Sequence, residues 1–472
     1  MVNTDFDFLK SAVTLDSKVF SNNEVLTWIE GRRTATQTVI RQIPLDSLRN
    51  WDVEDSTGDV SHASGGFFSI EGIRVRTNWG NLSGWDQPII NQPEIGFLGF
   101  IAKKFNGILH FLVQAKIEPG NINIVQISPT LQATRSNYSQ IHKGKRPRYL
   151  EYFNGEKKVT LLIDQLQSEQ GARFLRKRNR NIIVELLANE DIEPHEDFKW
   201  MTIGQIKELI RQDNIVNMDT RTVLSGISYG GYSTSLQEVK SVFPSTSEPS
   251  WPMLKSALNS ESALNNFRDI LSWITNLKST YDLFVDRIPI NKVSEWHHRN
   301  GVIDRADKKY FSVIGVNVSI GNREVISWDQ PMVKPSQEGL VAFIVRPIDG
   351  VYHFLVQAKL EAGNFDIIEL APTVQCLTGN YRTGLNEYSV PYINEILSAE
   401  KSCILLDVMQ SEEGGRFFNE QNRNMIVDVG IDFPLEVEEN YYWMTLNQLL
   451  RLIEFNNYLN IASRSLISAI KF

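Results

Sequence analysis

Hydrophobic and polar residues alternate most regularly over Leu109–Lys116. Leu109, Phe111, Val113 and Ala115 fall on one face of an extended strand, and His110, Leu112, Gln114 and Lys116 on the other, with Glu118 continuing the polar side. The apolar run Ile95–Ile101 and the Asn106-Gly107 pair before this strand predict a β-hairpin. Further strands are expected around Phe67–Val75, Asn123–Ile127, Val159–Ile163 and Ile182–Leu187, where β-branched and aromatic residues concentrate. The period then lengthens. Thr202 and Gln205 have capping-box spacing, and Ile203, Ile206, Leu209 and Ile210 share one face of the helix that follows. The pattern predicts an α+β sandwich.

The whole pattern is written twice. His110-Phe111-Leu112-Val113-Gln114-Ala115-Lys116 returns letter for letter as His353–Lys359, 243 residues on, and the same offset joins Trp85-Asp86-Gln87-Pro88 to Trp328–Pro331 and Trp200-Met201-Thr202 to Trp443–Thr445. A period this long is a domain rather than a solenoid unit. The expected organisation is copy one over 1–226, a Ser-, Gly- and Tyr-rich linker over 227–264 with enough aromatic content to pack, and copy two over 265–472.

Composition narrows the class. An apolar fraction of 42%, a charged fraction of 22% and a net charge of −8 describe a globular protein with no bias towards nucleic acid. Cys376 and Cys403 both lie in copy two, where copy one has Ala133 and Thr160, which argues against a disulfide framework or a zinc site. An acidic N-terminus and the lack of a long uncharged run predict no signal peptide, no membrane span and a cytoplasmic location. No dinucleotide fingerprint, phosphate loop or zinc-protease motif occurs.

Three constellations can carry chemistry. The first is the polar face His110, Gln114, Lys116 and Glu118, repeated as His353, Gln357, Lys359 and Glu361; it is either a pocket wall or a solvated sheet face. The second is the loop from Asn121 (Asn364 in copy two) through Thr134, Arg135, Asn137 and Tyr138, whose hydroxyl, amide and guanidinium groups suit a hydroxylated or phosphorylated ligand or cap their own turns. A cationic run follows in copy one alone, His142-Lys143-Gly144-Lys145-Arg146-Pro147-Arg148, readable as a diphosphate clamp or a solvated loop. The third joins Glu169, Arg173 and Asn179, with Arg416 matching Arg173. Glu169 and Arg173 are spaced to pair on a helix, or to act as acid or base and anion holder.

The strings Leu109–Asn121, Ser128–Tyr138 and Arg178-Asn179-Arg180-Asn181 resemble those of the nucleotide-diphosphohexose 2,3-dehydratases of deoxysugar biosynthesis, and the duplication is itself a property of that family. The resemblance implies two tandem Nudix-like α/β/α domains, a homodimer, and a dTDP-4-keto-6-deoxyhexose that loses its C2 hydroxyl. It implies no metal or cofactor in the enzyme, and an NADPH-dependent 3-ketoreductase to consume the unstable product. Copy one lacks the carboxylate-rich core of a Nudix box, and copy two keeps only Glu412-Glu413-Gly414-Gly415 of it.

On that reading Lys116 stabilises an enolate or acts as acid, His110 or Glu118 is the base, and Tyr138 and Glu169 stand in reserve. Trp85, Gln114, Asn121, Thr134, Arg135 and Asn137 contact the ligand, together with Arg148, Arg173 and Asn179. Copy one, richer in cations, is expected to work, and His353, Gln357, Lys359, Glu361, Asn364 and Arg416 form at best a vestigial second pocket. A nucleotide-sugar hydrolase and a non-catalytic nucleotide-sugar-binding protein are the alternatives.

Overall fold

The computed structural model describes residues 4–138, 146–230, 239–243, 249–258, 262–321, 325–379 and 390–472, with the side chain of Asn137 outside the described set. The hairpin forms as predicted. Strands Gly96–Phe105 and Ile108–Ile117 pair antiparallel across Asn106 and Gly107, both at positive φ, as the mirror-image turns of hairpins require. Around them lies a seven-stranded mixed sheet. Its order is Thr160–Ser168, Arg178–Glu185, Gly96–Phe105, Ile108–Ile117, Phe198–Met201, with Val125–Ser128 and Leu131–Ala133 continuing the ladders of the hairpin strands; only Arg178–Glu185 and Gly96–Phe105 run parallel. Copy two repeats this sheet around Gly339–Ile348 and Val351–Lys359.

One face of the copy-one sheet, with Phe100, Phe111 and Val113, packs with the helices Thr4–Val13 and Ile203–Ile210. The capping box holds as read: Thr202 Oγ1 accepts from the Gln205 amide at 3.1 Å. The opposite face, with Ile101, Leu112, Ile182, Val184 and Trp200, is covered by Leu150, Tyr152, Phe153 and Ile192, from chain that makes only short helical turns among the described residues. Leu112 is therefore core, although it lies on the predicted polar face.

This arrangement overturns the expectation of two tandem Nudix-like α/β/α domains. Strands dominate the chain, the sheets stay open, and the longer helices layer one face of each large sheet, the other face carrying only a turn or two of helix among the described residues. The physical reason lies in the segments 146–159 and 186–197, whose Pro, Gly and charged residues lack a 3.6-residue apolar period and cover their face as irregular chain.

Two five-stranded sheets complete the fold, and each borrows a strand from the other copy. Thr38–Ile43 of copy one pairs with Phe311–Ile320 of copy two, from Thr38↔Ile320 to Ile43↔Gly315. Leu283–Ile288 of copy two pairs with Ser69–Thr77 of copy one, from Leu283↔Thr77 to Ile288↔Gly72. The main apolar core is shared as well, running from Phe111 and Ile203 in copy one to Phe354 and Leu446 in copy two. Two fully buried arginines pin the halves together: Arg221 donates to the Ser411 carbonyl, and Arg464 to the Ser168 carbonyl and to Thr222 Oγ1. The described linker packs, with Ile227, Tyr229, Val239 and Met253 buried. Cys376 and Cys403 are free thiols, and no described helix is long and apolar enough to cross a membrane.

Candidate active site

A cavity of about 570 Å³ opens above the polar end of strand Ile108–Ile117. Gln114, Lys116 and Glu118 form its floor with Gln132 and Thr134, while Arg49, Trp51, His62 and Phe68 form one wall. Copy two closes it with Trp328, Asp329, Gln330, Glu413 and Arg416. Arg49 donates to both carboxylate oxygens of Asp329 at 3.0 and 2.9 Å, and Trp51 Nε1 donates to the Asp329 carbonyl at 2.7 Å, so the rim is stitched across the two copies.

The floor is a fixed polar network. Lys116 Nζ donates to the Gln132 carbonyl at 3.3 Å and lies 3.9 Å from Glu118 Oε1, which accepts from Gln132 Nε2 at 2.9 Å. Glu118 Oε2 is buried with no hydrogen-bond partner among the described residues. Asn179 is oriented by two bonds, from its Nδ2 to Glu169 Oε1 at 2.7 Å and from the Gly96 amide to its Oδ1 at 3.2 Å. Burial raises the pKa of Glu169 against the opposing pull of Arg464 and Lys177.

Six of the expected site residues, Gln114, Lys116, Glu118, Thr134, Arg148 and Asn179, line this one cavity. Others are placed elsewhere. His110 lies outside the lining, with Nε2 2.7 Å from Ser17 Oγ and Nδ1 2.9 Å from the Ile108 carbonyl; burial lowers its pKa. Asn121 braces the turn beneath the floor through the Ile124 carbonyl at 3.0 Å. Tyr138 packs on the Phe97 ring, Arg135 is exposed outside the lining, and Glu169 sits behind Asn179. The helical pairing of Glu169 with Arg173 does not form, because the chain turns after strand Thr160–Ser168. His142, Lys143, Lys145 and the Asn137 side chain lie outside the described residues.

A systematic exchange accounts for the remaining displacements. Arg173 leaves copy one and stacks on Phe311 of copy two, 4.3 Å from the ring centroid, while Arg416 stacks on Phe68 of copy one at 4.2 Å. Arg416 therefore belongs to the copy-one cavity rather than to a second pocket. Trp85 bonds Gln87 Oε1 outside the lining, and its counterpart Trp328 lines the cavity instead. Reciprocal hydrogen bonds hold the crossing, from the Gly120 amide to the Gly414 carbonyl at 2.7 Å and from the Gly363 amide to the Gly171 carbonyl at 2.6 Å. A Cβ on Gly120 would lie 1.7 Å from the Phe417 carbonyl oxygen, so only glycine fits there.

In copy two the floor recurs. Lys359 Nζ donates to the Gln375 carbonyl at 3.1 Å and Gln375 Nε2 to Glu361 Oε1 at 3.1 Å, while His353 Nε2 accepts from the Leu264 amide at 2.9 Å and Asn364 lies against Gly171. Gln357 occupies the position of Gln114 on strand Val351–Lys359.

Several titratable residues of the lining were missed by the sequence reading, Arg49, His62, Asp197 and Asp329 among them. Lys177, Asp219 and Glu413 all line the copy-one cavity, and at an offset of 243 they face Glu420, Ala462 and Gln170. That mismatch between copies was the available signal. Lys177 donates to the Glu94 carbonyl, and burial lowers its pKa to about 8. Burial, with Glu169 and Glu118 nearby, raises that of Glu413 to about 7 against the pull of Arg416. Asp219 is raised well above the carboxylate range by burial and by Glu413, Glu169 and Glu118.

Among the described residues one group could approach a metal ion: His195, Glu196 and Asp197 bring ligand atoms within 4.8 Å of one another. Arg32 already pairs with Glu196 at 3.0 Å and Asp197 at 2.7 Å, and a cation would have to displace it.

A duplicated β-rich chain that encloses paired acids and bases over a polar floor is an acid–base enzyme by class. The sequence profile of the NDP-hexose 2,3-dehydratases matches residues 22–227 and again 267–470, and the chain belongs to this family. It is 41% identical over 463 residues to a dTDP-4-dehydro-6-deoxy-alpha-D-glucopyranose 2,3-dehydratase of Saccharopolyspora spinosa, covering 98% of this chain and 94% of that protein. It is 42% identical over 450 residues to the enzyme so named from Streptomyces violaceoruber, covering 94% and 96%. The Amycolatopsis orientalis enzyme of that name is 40% identical over 465 residues, covering 98% and 92%.

Proposed function

We propose that the chain eliminates water from a dTDP-4-keto-6-deoxyhexose, taking the proton from C3 and the hydroxyl from C2. The observation that carries the reading is full-length identity of 40–42% to enzymes named for this reaction, joined to a cavity that holds acids and bases side by side. The ketone at C4 acidifies the C3 proton, and the pair left behind expels the C2 hydroxyl as water. The resulting 3-enol tautomerises to the 3,4-diketone, so electrons balance without a redox partner.

Lys116 donates to the C4 oxygen, where enolate charge develops, and Glu118 and Gln132 hold its ammonium in place. The guanidinium groups of Arg49, Arg148 and Arg416 suit the diphosphate, and Trp51, Phe68 and Trp328 offer apolar faces to the base or sugar. The diketone is consumed by an NADPH-dependent 3-ketoreductase. A homodimer follows from the resemblance, and the two free thiols favour a reducing compartment such as the cytoplasm. Incubation with the dTDP-4-keto sugar, a 3-ketoreductase and NADPH should yield a reduced product one oxygen poorer than the substrate. Full recovery of substrate would reject the reading.

A further inference from the structure

The copy-one cavity holds two kinds of carboxylate, and they differ in origin. Glu118 rises from the floor and recurs in copy two as Glu361, with the same lysine and glutamine around it. It belongs to the scaffold common to both copies. Glu413 comes across from copy two, on the loop whose Gly414 carbonyl is held by the Gly120 amide at 2.7 Å. The position is Gln170 in copy one, so no carboxylate crosses in the opposite direction there. Gln170 instead donates to Glu412.

The placement of Glu413 is specific. A Cβ built on Gly415 would lie 2.8 Å from Glu413 Oε1 and 3.5 Å from Glu118 Oε1, so the two carboxylates face each other past a residue without a side chain. Among the described residues no hydrogen bond fixes the Glu413 carboxylate, whereas Glu118 Oε1 is committed to Gln132. Four carboxyl groups, Glu118, Glu169, Asp219 and Glu413, share this region with the cations Lys116, Lys177, Arg416 and Arg464. Burial and the repulsion of the neighbouring carboxylates favour the neutral form of Asp219. It has 2% of its surface exposed and makes no ion pair among the described residues.

We infer that Glu413, supplied by the second copy to the first copy's cavity, is the base that removes the C3 proton, with Lys177 beside it as the acid for the departing C2 hydroxyl. The proton on C3 passes to the Glu413 carboxylate and the C3–H electron pair enters the enolate. The C2–O bond then breaks, the hydroxyl takes a proton from the Lys177 ammonium, and water leaves. Lys177 regains its proton from the 3-hydroxyl of the enol, Glu413 gives up the C3 proton to solvent, and C2 takes a proton from water, which restores both groups. The inference rests on the elimination proposed above.

Glu413→Gln tests it, and copy one already carries Gln at the matching position, so the loop accommodates that side chain. The expected result is a fall in turnover of about 10² to 10⁴-fold with substrate affinity changed by less than about threefold, and loss of C3 proton release to solvent measured on substrate deuterated at C3. Glu413→Asp, which keeps the carboxylate but draws it back, should retain part of the C3 release. Turnover of Glu413→Gln within about tenfold of the natural protein overturns the inference while leaving the dehydratase reading intact. C3 release that survives in Glu413→Gln but disappears in Glu118→Gln overturns it in favour of Glu118. A natural protein that releases no C3 deuterium and no water overturns the dehydratase reading itself.

Discussion

The two copies present nearly the same floor and different chemistry above it. Lys116 and Lys359 make the same bond to a backbone carbonyl, at 3.3 and 3.1 Å, and Glu118 and Glu361 accept from equivalent glutamines. Above them copy one sees Lys177, Asp219 and Glu413, where copy two has Glu420, Ala462 and Gln170. Duplication preserves the hydrogen-bonded floor and leaves the groups above it free to diverge. A copy can therefore keep an intact pocket wall and still lack the acid–base pair that gives the wall a use.

The comparison breaks most severely if the halves are separated. Residues 1–226 alone lose the partner strand of Ser69–Thr77, the cavity wall from Trp328 to Arg416, and half of the shared core. They should be insoluble or lack fixed tertiary structure by near-ultraviolet circular dichroism, with no turnover, and co-expression with residues 227–472 should restore both. A soluble, active copy one would show that the exchange is ornamental.

Next in size, Lys116→Met should reduce turnover by about 10² to 10³-fold, because the donor at the developing enolate is gone, while Lys359→Met should leave most of it. Equal partial losses would mean two working sites per chain.

The pH profile sharpens the contrast. Glu413, with its pKa raised to about 7, must be ionised to act as base, so the rate climbs as pH rises through that value. Lys177, lowered to about 8, must be protonated to act as acid, so the rate falls as pH rises further. A bell between those limits is expected, and a profile flat across both would remove the pair from the chemistry. The smallest effect belongs to His110→Asn, which loses the Ser17 bond. Stability in urea should fall by about 1 kcal/mol with turnover unchanged within a few-fold, and a hundredfold drop in rate would return His110 to the mechanism.

Local features were legible in the sequence because local physics makes them. Asn106-Gly107 and Asp349-Gly350 announce their hairpins, and Thr202/Gln205 and Thr445/Gln448 announce their caps. Of the two readings left open for the polar strand, Gln114, Lys116 and Glu118 take that of a cavity wall, whereas the same alternation carries His110 beyond the cavity into a buried pair with Ser17. Strand exchange was not legible. Thr38–Ile43 and Leu283–Ile288 are similar short strands, and a backbone ladder carries no address that tells which copy of the partner is meant. The same ambiguity misassigned Trp85 for Trp328 and Arg173 for Arg416. The expectation of helices on both sheet faces came from resemblance alone, and the irregular segments 146–159 and 186–197 spoke against it in their own composition.

The exchange also sets a timetable for synthesis. Ser69–Thr77 leaves the ribosome long before Leu283–Ile288, and at about 5–20 residues per second the delay is roughly ten to forty seconds. Throughout that interval the strand has an open edge able to recruit any other chain. Arg74 and Arg76 stand on that strand, and their charges discourage such pairing until Asp86 and then Asp286 arrive to neutralise them at 2.9 and 3.0 Å. The nascent chain thus carries its own temporary guard, which the finished protein converts into two ordinary ion pairs.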